Sequence, residues 1–261
     1  MKKIMFTAAA ALCATVGLAI ESANIVGYKD TAAITGISQK SAAFDGVTTA
    51  ATDIQNIIPK VGEGEELYTG GFVIMTLTDG GETGTSYFYT LAADASDGLG
   101  NGWFDDAGQR ADKTFLPGEG FVLSSDYENG TITTAGAVAN EDTVFALSTG
   151  INSCGNTTAG QFGINQLTVG VGIDAEGNLL TLNTDSGEEL YTGGIVGMTL
   201  TDGGETAESF FYTLAADAPD GGANGWFDDA GERSSKPFAA GEGFIISSDY
   251  AESYIKIPSA L

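Results

Sequence analysis

"EELYTGGFVIMTLTDGGETGTSYFYTLAADASDGLGNGWFDDAGQRADKTFLPGEGFVLSSDY", residues 65–127, returns at residues 188–250 as "EELYTGGIVGMTLTDGGETAESFFYTLAADAPDGGANGWFDDAGERSSKPFAAGEGFIISSDY". The two stretches align without a gap at an offset of 123 residues and are identical at 47 of 63 positions. Self-similarity at a fixed period marks a fold built from one unit used more than once. The flanking segments 24–64 and 141–187 have similar lengths but little matching text, so they read as equivalent structural slots filled differently. Copies this alike also carry a warning: an acidic residue present in both is not thereby shown to be functional.

Inside each copy the periodicity is that of strands. "FVIMTLT" from Phe72 is rich in β-formers and runs into Asp79-Gly80-Gly81, a turn signal, after which "TSYFYTLA" from Thr85 reads as its hairpin partner. "GFVLSS" from Gly120 and "GTITTAG" from Gly130 bracket Asp126–Asn129 and read as a second hairpin, with Asn129-Gly130 supplying positive φ values. "NIVGY", "TAAITGI", "TVFALST", "NLLTLNT" and the closing "SYIKIPSAL" are further strands, and "ATDIQNII" from Ala51 fits one short helix. The 38 glycines lie between apolar strand runs and therefore mark turns rather than disorder. The fold class expected is all-β: two tandem related small β-sandwich or barrel domains of six to eight strands each, at residues 20–140 and 141–261. A single merged β structure with pseudo-twofold symmetry is the alternative.

The chain opens like an export signal, with Lys2 and Lys3 ahead of an apolar run from Ile4 to Leu18 that is short for a membrane span. Small residues at Gly17 and Ala19 fit cleavage after residue 19. Leu12 stands where lipidation of Cys13 would want a small residue, which argues against a lipoprotein. No other segment approaches the length of a membrane helix, so the expected mature chain has no transmembrane segment and is secreted, at the cell surface or extracellular. Losing Lys2 and Lys3 moves the formal net charge from −25 to −27. So acidic a surface repels nucleic acid and anionic lipid and favours cations or a basic partner. Cys154 remains as a single thiol without an intramolecular partner; an intermolecular bridge or burial as a small hydrophobe are both open to it, with burial the expectation.

The chain contains no histidine, which removes Ser-His-Asp and Cys-His catalysis and His-containing zinc sites. Carboxylate chemistry remains, but Asp105 with Asp106 and Asp228 with Asp229 are adjacent pairs, which a strand would send to opposite faces. We therefore expect no enzyme. The loop "DASDGLGNGWFDDAG" gathers hard oxygen ligands at Asp94, Asp97, Asn101, Asp105 and Asp106, and the second copy supplies Asp217, Asp220, Asn224, Asp228 and Asp229. Calcium takes six to eight such oxygens from irregular loops, so calcium is the candidate cofactor, although the spacing is not that of an EF-hand. The competing view is a solvated loop whose Asp and Asn residues close turns. Trp103 and Trp226 are candidate ligand-binding residues, since an exposed indole beside acids suits sugar stacking; each also suits the centre of a small core.

"ESANIVGY" at residues 21–28, and Gly102-Trp103-Phe104-Asp105 followed by Phe115-Leu116-Pro117-Gly118-Glu119-Gly120-Phe121, are two further features of the chain. The first resembles the mature start, and the second a turn-and-strand segment, of a group of uncharacterised secreted bacterial proteins. In the second half Gly225-Trp226 and Gly241-Glu242-Gly243-Phe244 match, while Ala239-Ala240 replaces Leu-Pro. The resemblance implies an exported β-domain protein and assigns no catalytic residue. Together these readings lead to a non-enzymatic surface or extracellular-matrix protein that works by self-association or adhesion, with itself or other cell-surface proteins as partners. A carbohydrate-binding module using the Trp and acidic loop residues on a polysaccharide is the alternative.

Overall fold

The computed structural model describes residues 26–33, 35–42, 44, 51–78, 80–139, 141–201 and 204–259; the export segment, Cys13 and residues 21–25 lie outside them. The first half contains β1 (Val26–Ala33), β2 (Gly36–Ser41), β3 (Thr52–Asp53), β4 (Ile58–Lys60), β5 (Phe72–Leu77), β6 (Thr83–Thr90), β7 (Gly102–Asp105), β8 (Thr114–Phe115), β9 (Gly120–Ser125) and β10 (Gly130–Ala137). The second contains β11 (Thr143–Leu147), β12 (Gly150–Gly155), β13 (Phe162–Gly163), β14 (Thr168–Gly170), β15 (Gly172–Ile173) and β16 (Leu179–Leu180). It closes with β17 (Ile195–Leu200), β18 (Thr206–Thr213), β19 (Gly225–Asp228), β20 (Pro237–Phe238), β21 (Gly243–Ser248) and β22 (Ser253–Ile257). The short helix expected near Ala51 is a single 3₁₀ turn at Ile54–Asn56, begun by the Asp53 carboxylate accepting from the Gln55 amide.

The chain is all-β, and its pairings are antiparallel. A five-stranded sheet in the order β2-β9-β5-β6-β7 is matched by one in the order β12-β21-β17-β18-β19. A three-stranded sheet β1-β10-β4 is likewise matched by β11-β22-β14. Among the described residues no sheet takes strands from both halves. Gly36 pairs with Ser125 and Gly150 with Ser248, so the leading strands correspond at an offset of 114 while the repeated block keeps 123. The hairpin expected from Phe72 to Thr90 is present as β5 and β6.

The second expected hairpin is not. β9 pairs with β2 and β5, whereas β10 pairs with β1 and β4, so Asp126–Asn129 is a corner between two sheets. Nor does Gly130 adopt positive φ. It is glycine because a Cβ there would strike the Ala33 carbonyl and press on the Phe72 ring. The corner is held by Tyr127, whose hydroxyl accepts from the Tyr68 amide at 2.9 Å; Tyr250 does the same for Tyr191 at 2.7 Å.

Each half has its own core. Trp103 and Trp226 are both 0% exposed and donate their indole N–H to the Ile57 and Leu167 carbonyls at 2.7 and 3.0 Å. Phe72, Ile74, Phe121, Leu123 and Ile132 surround the first indole, and Ile195, Phe244, Ile246 and Ile255 the second. Because side chains alternate along a strand, the same residues that fill these cores leave Met75 and Val122, and Met198 and Ile245, on the opposite sheet faces.

Those opposite faces meet. Glu119 bridges to Cys154 and Lys40 to Glu242, two contacts related by the internal symmetry. The Gly155 amide donates to the Gly118 carbonyl and the Ser41 amide to the Gly241 carbonyl, each at 3.0 Å. Gln39 donates across the seam to Ser153, its own counterpart. Residues meeting their counterparts are the mark of a two-fold relation. The approach is close because glycines line it. A Cβ on Gly120 would collide with the Cys154 carbonyl, one on Gly155 with the Ser41 side chain, and one on Gly243 would lie 2.7 Å from the Lys40 backbone. Gly155→Ala should therefore destabilise the fold by ~1–3 kcal/mol through overpacking. Gly80→Ala, where the nearest atom is 3.9 Å away, should stay within about 0.5 kcal/mol; urea denaturation of both variants measures the contrast.

Candidate functional site

The acidic loops are built by their own side chains. Asp94 accepts from the Thr69 hydroxyl at 2.6 Å, and Asn101 Oδ1 accepts from the Ala92 amide at 2.7 Å. Asp105 Oδ1 takes both the Ala107 and Gln109 amides, closing the turn after β7. Asp97 receives the Leu99 amide and a two-pronged Arg110 guanidinium, Nε at 2.5 Å and Nη2 at 3.2 Å. Arg110 also donates to the Gly100 and Asn101 carbonyls and lies 4.8 Å over the Phe104 ring. The second copy repeats the set with Asp217, Asn224, Asp228 and the Asp220–Arg233 pair. Asp106 and Asp229 point to solvent. Among the described residues no group of three or more His, Cys, Asp or Glu side chains is placed to hold a metal ion.

The candidate ligand-binding residues Trp103 and Trp226 are core. Their ring faces are spent on Tyr89 and Tyr212 at 5.3 Å edge contacts and on aliphatic neighbours. No indole face is left for a sugar. Arg110 and Arg233, which take one carboxylate of each loop, stand in both copies thirteen residues after the Asp they grip, and that shared spacing is their signal in the sequence.

Three concave features lie along the seam. A central cavity of about 320 Å³ is lined in counterpart pairs: Ile37 with Ile151, Met75 with Met198, Leu77 with Leu200 and Val122 with Ile245. A groove of about 610 Å³ adjoins it through Leu77 and Ile151 and is bounded by Leu116, Pro117, Glu119, Val144 and Phe145. Its counterpart of about 480 Å³ adjoins through Ile37 and Leu200 and is bounded by Lys29, Asp30, Thr31, Lys40, Thr199 and Glu242. Burial pushes the Lys40 ammonium below its usual value, with Glu242 opposing. Cys154 is fully buried at the seam, and that burial drives its thiol well above the usual range, leaving it no nucleophile.

The two grooves flank strands that end their sheets, and these edges differ. β1 carries Lys29 and Asp30, the latter tied to Lys60 and Thr133. β11 reads Thr-Val-Phe-Ala-Leu, with no charge, and leaves Val144 39% exposed. Charged side chains on an edge strand discourage pairing with another chain, and β11 lacks them. Val26–Tyr28 pairs with Ala135–Ala137 of its own half rather than reaching a neighbour.

No helix among the described residues is long and apolar enough to cross a membrane. Comparison with family models, curated proteins and solved structures finds no match. The loop clamps have a pH signature. Hydrogen bonds from Arg110 and Arg233 hold Asp97 and Asp220 below the usual carboxylate range. A carboxyl lowered by folding stabilises the fold above its unfolded value of ~3.9, and that contribution is lost as pH falls through the lower folded value. Melting temperature followed from about pH 5 to about pH 2 should fall less steeply in the Arg110→Met/Arg233→Met variant than in the parent chain.

Proposed function

We propose that this chain is an exported, non-enzymatic surface or extracellular-matrix protein, two related β units in tandem, that works by self-association. The observation that carries this reading is the uncharged edge of β11, beside a groove whose rim includes Leu116 at 58% exposure. An edge strand presents unpaired N–H and C=O groups, and a second β11 running antiparallel satisfies both strands at once in a closed two-fold pair. Adhesion to other cell-surface proteins would use the same strand addition. The carbohydrate alternative draws no support from indoles whose faces are in the core.

Charge opposes this association. A signal-free chain of formal charge −27, the −25 of the full chain less Lys2 and Lys3, repels its own copy, and the repulsion is screened over ~10 Å at 0.1 M salt but ~3 Å at 1 M. We give calcium a corresponding role, that of a counterion which lowers the repulsion between chains at their solvated carboxylates. Sedimentation velocity of the signal-free protein should show dimers or larger species that increase with salt and more steeply with calcium. Val144→Lys/Ala146→Lys, on exposed β11 positions, should return the protein to monomer without lowering its melting temperature. A chain that stays monomeric at high concentration in calcium, or association that ignores the two lysines, overturns the reading.

A further inference from the structure

The central seam cavity is a site that self-association through β11 does not use, and its chemistry is unlike the rest of the molecule. In a chain with 35 acidic residues, no charged side chain lines it. No aromatic ring lines it either: the walls are Ile, Leu, Val and Met, with Thr83 and Thr206 hydroxyls and hairpin glycines at one end. Its volume of about 320 Å³ falls at the lower end of ligand cavities, ~300–1,000 Å³. It is roughly twice an apolar cavity of ~150 Å³ that stays dry and takes up benzene.

We propose that this cavity binds the alkyl chain of a small amphiphile, with the head at the Lys40 end. Three features choose the occupant. First, the two walls are counterparts, so a ligand filling the space meets the same aliphatic chemistry on both sides and must be apolar all round. Second, the absence of ring faces removes the stacking and edge contacts that would select an aromatic ligand. Third, Met75 and Met198 both line the space, and the unbranched thioether adapts to a flexible chain better than a branched side chain does.

The two ends differ, and the difference places the head. The end beyond Leu77 and Ile151 has Glu119 as its charged lining residue, with one oxygen taken by Lys113 at 2.5 Å and the other by the Leu116 amide, so this end lines the space with no cation to receive a carboxylate. The end beyond Ile37 and Leu200 carries Lys29 and Lys40 against Asp30 and Glu242, a balanced set. Its wall also holds four buried polar oxygens without a hydrogen-bond partner, on Thr31, Ser38, Gln39 and Thr199. Buried polar groups left unpaired are costly; the Thr31, Ser38 and Thr199 hydroxyls can rotate to donate to a polar head, while the Gln39 amide oxygen can only accept, as from a hydroxyl head. The corresponding oxygen at the other end, Thr76 Oγ1, already accepts from the Thr85 amide at 2.9 Å.

Isothermal titration of the intact signal-free chain with octanol and with octanoate tests this. Both should bind with one equivalent per chain. Met75→Gln/Met198→Gln, at half-buried positions, should keep the parent melting temperature and weaken both ligands about tenfold or more. Thr83→Phe, which narrows the exposed end, should weaken both without touching the core. Lys40→Met should weaken octanoate alone. Absence of binding to either ligand at millimolar concentration overturns the proposal. So does binding that folded glutamine variants retain in full, or uptake of many equivalents.

Discussion

The backbone contact between the repeats is the constraint on which the rest of the arrangement depends. Gly120 and Gly243 let one half's main chain approach the other's, and Gly155 leaves room for the Ser41 side chain. That proximity permits the paired amide-to-carbonyl bonds at Ser41 and Gly155. A backbone hydrogen bond is worth only ~0.5–1.5 kcal/mol net, but a buried amide left without one costs more. The seam is therefore held as much by what separation would leave unsatisfied as by the contacts themselves. Each indole organises its own half; the glycines decide how the halves meet.

From that meeting follow the features that bear on function. The outer faces of the two five-stranded sheets come together at strand ends, where the glycines are, and stand apart around Met75 and Met198. The gap that results is aliphatic because the alternating partners of core residues on β5, β9, β17 and β21 are themselves aliphatic. The same docking sets β1 and β11 beside grooves at opposite ends of the seam. Internal symmetry puts the two grooves at counterpart positions, and divergence of the flanks makes them unlike in charge: the repeated block supplies Glu119 and Glu242, while Lys40 has Cys154 as its counterpart.

Much of the fold was legible in the repeated text. The period-2 pattern located β5, β6 and β9, and duplication required their copies. The corner at Asp126–Asn129 was misread because alternation tells which residues share a face but not which sheet a strand joins. Gly130 looked like a turn residue and is a contact residue, a distinction that only the position of Ala33 and Phe72 reveals. The acidic loop showed its oxygens but not their occupation, since turn amides and Arg110 consume them at close range. Arg110, present in both copies, was the signal that these carboxylates had a protein partner. Trp103 gave two legible outcomes, core or platform, and its placement depended on Ile57, which precedes it by 46 residues and donates nothing a motif would show. The seam was hidden for the same reason: its residues come from β2, β9, β12 and β21, and their glycines resemble those of ordinary turns.

Amide hydrogen exchange at Ser41 and Gly155 tests the central claim most directly, because their N–H groups donate across the seam to the Gly241 and Gly118 carbonyls. If the halves dock as described, both amides exchange as slowly as those inside β9 and β21. Exchange at the rate of open loop amides, while β9 and β21 remain protected, would show that the repeats fold but do not hold each other, and the account of the cavity would fall with the seam.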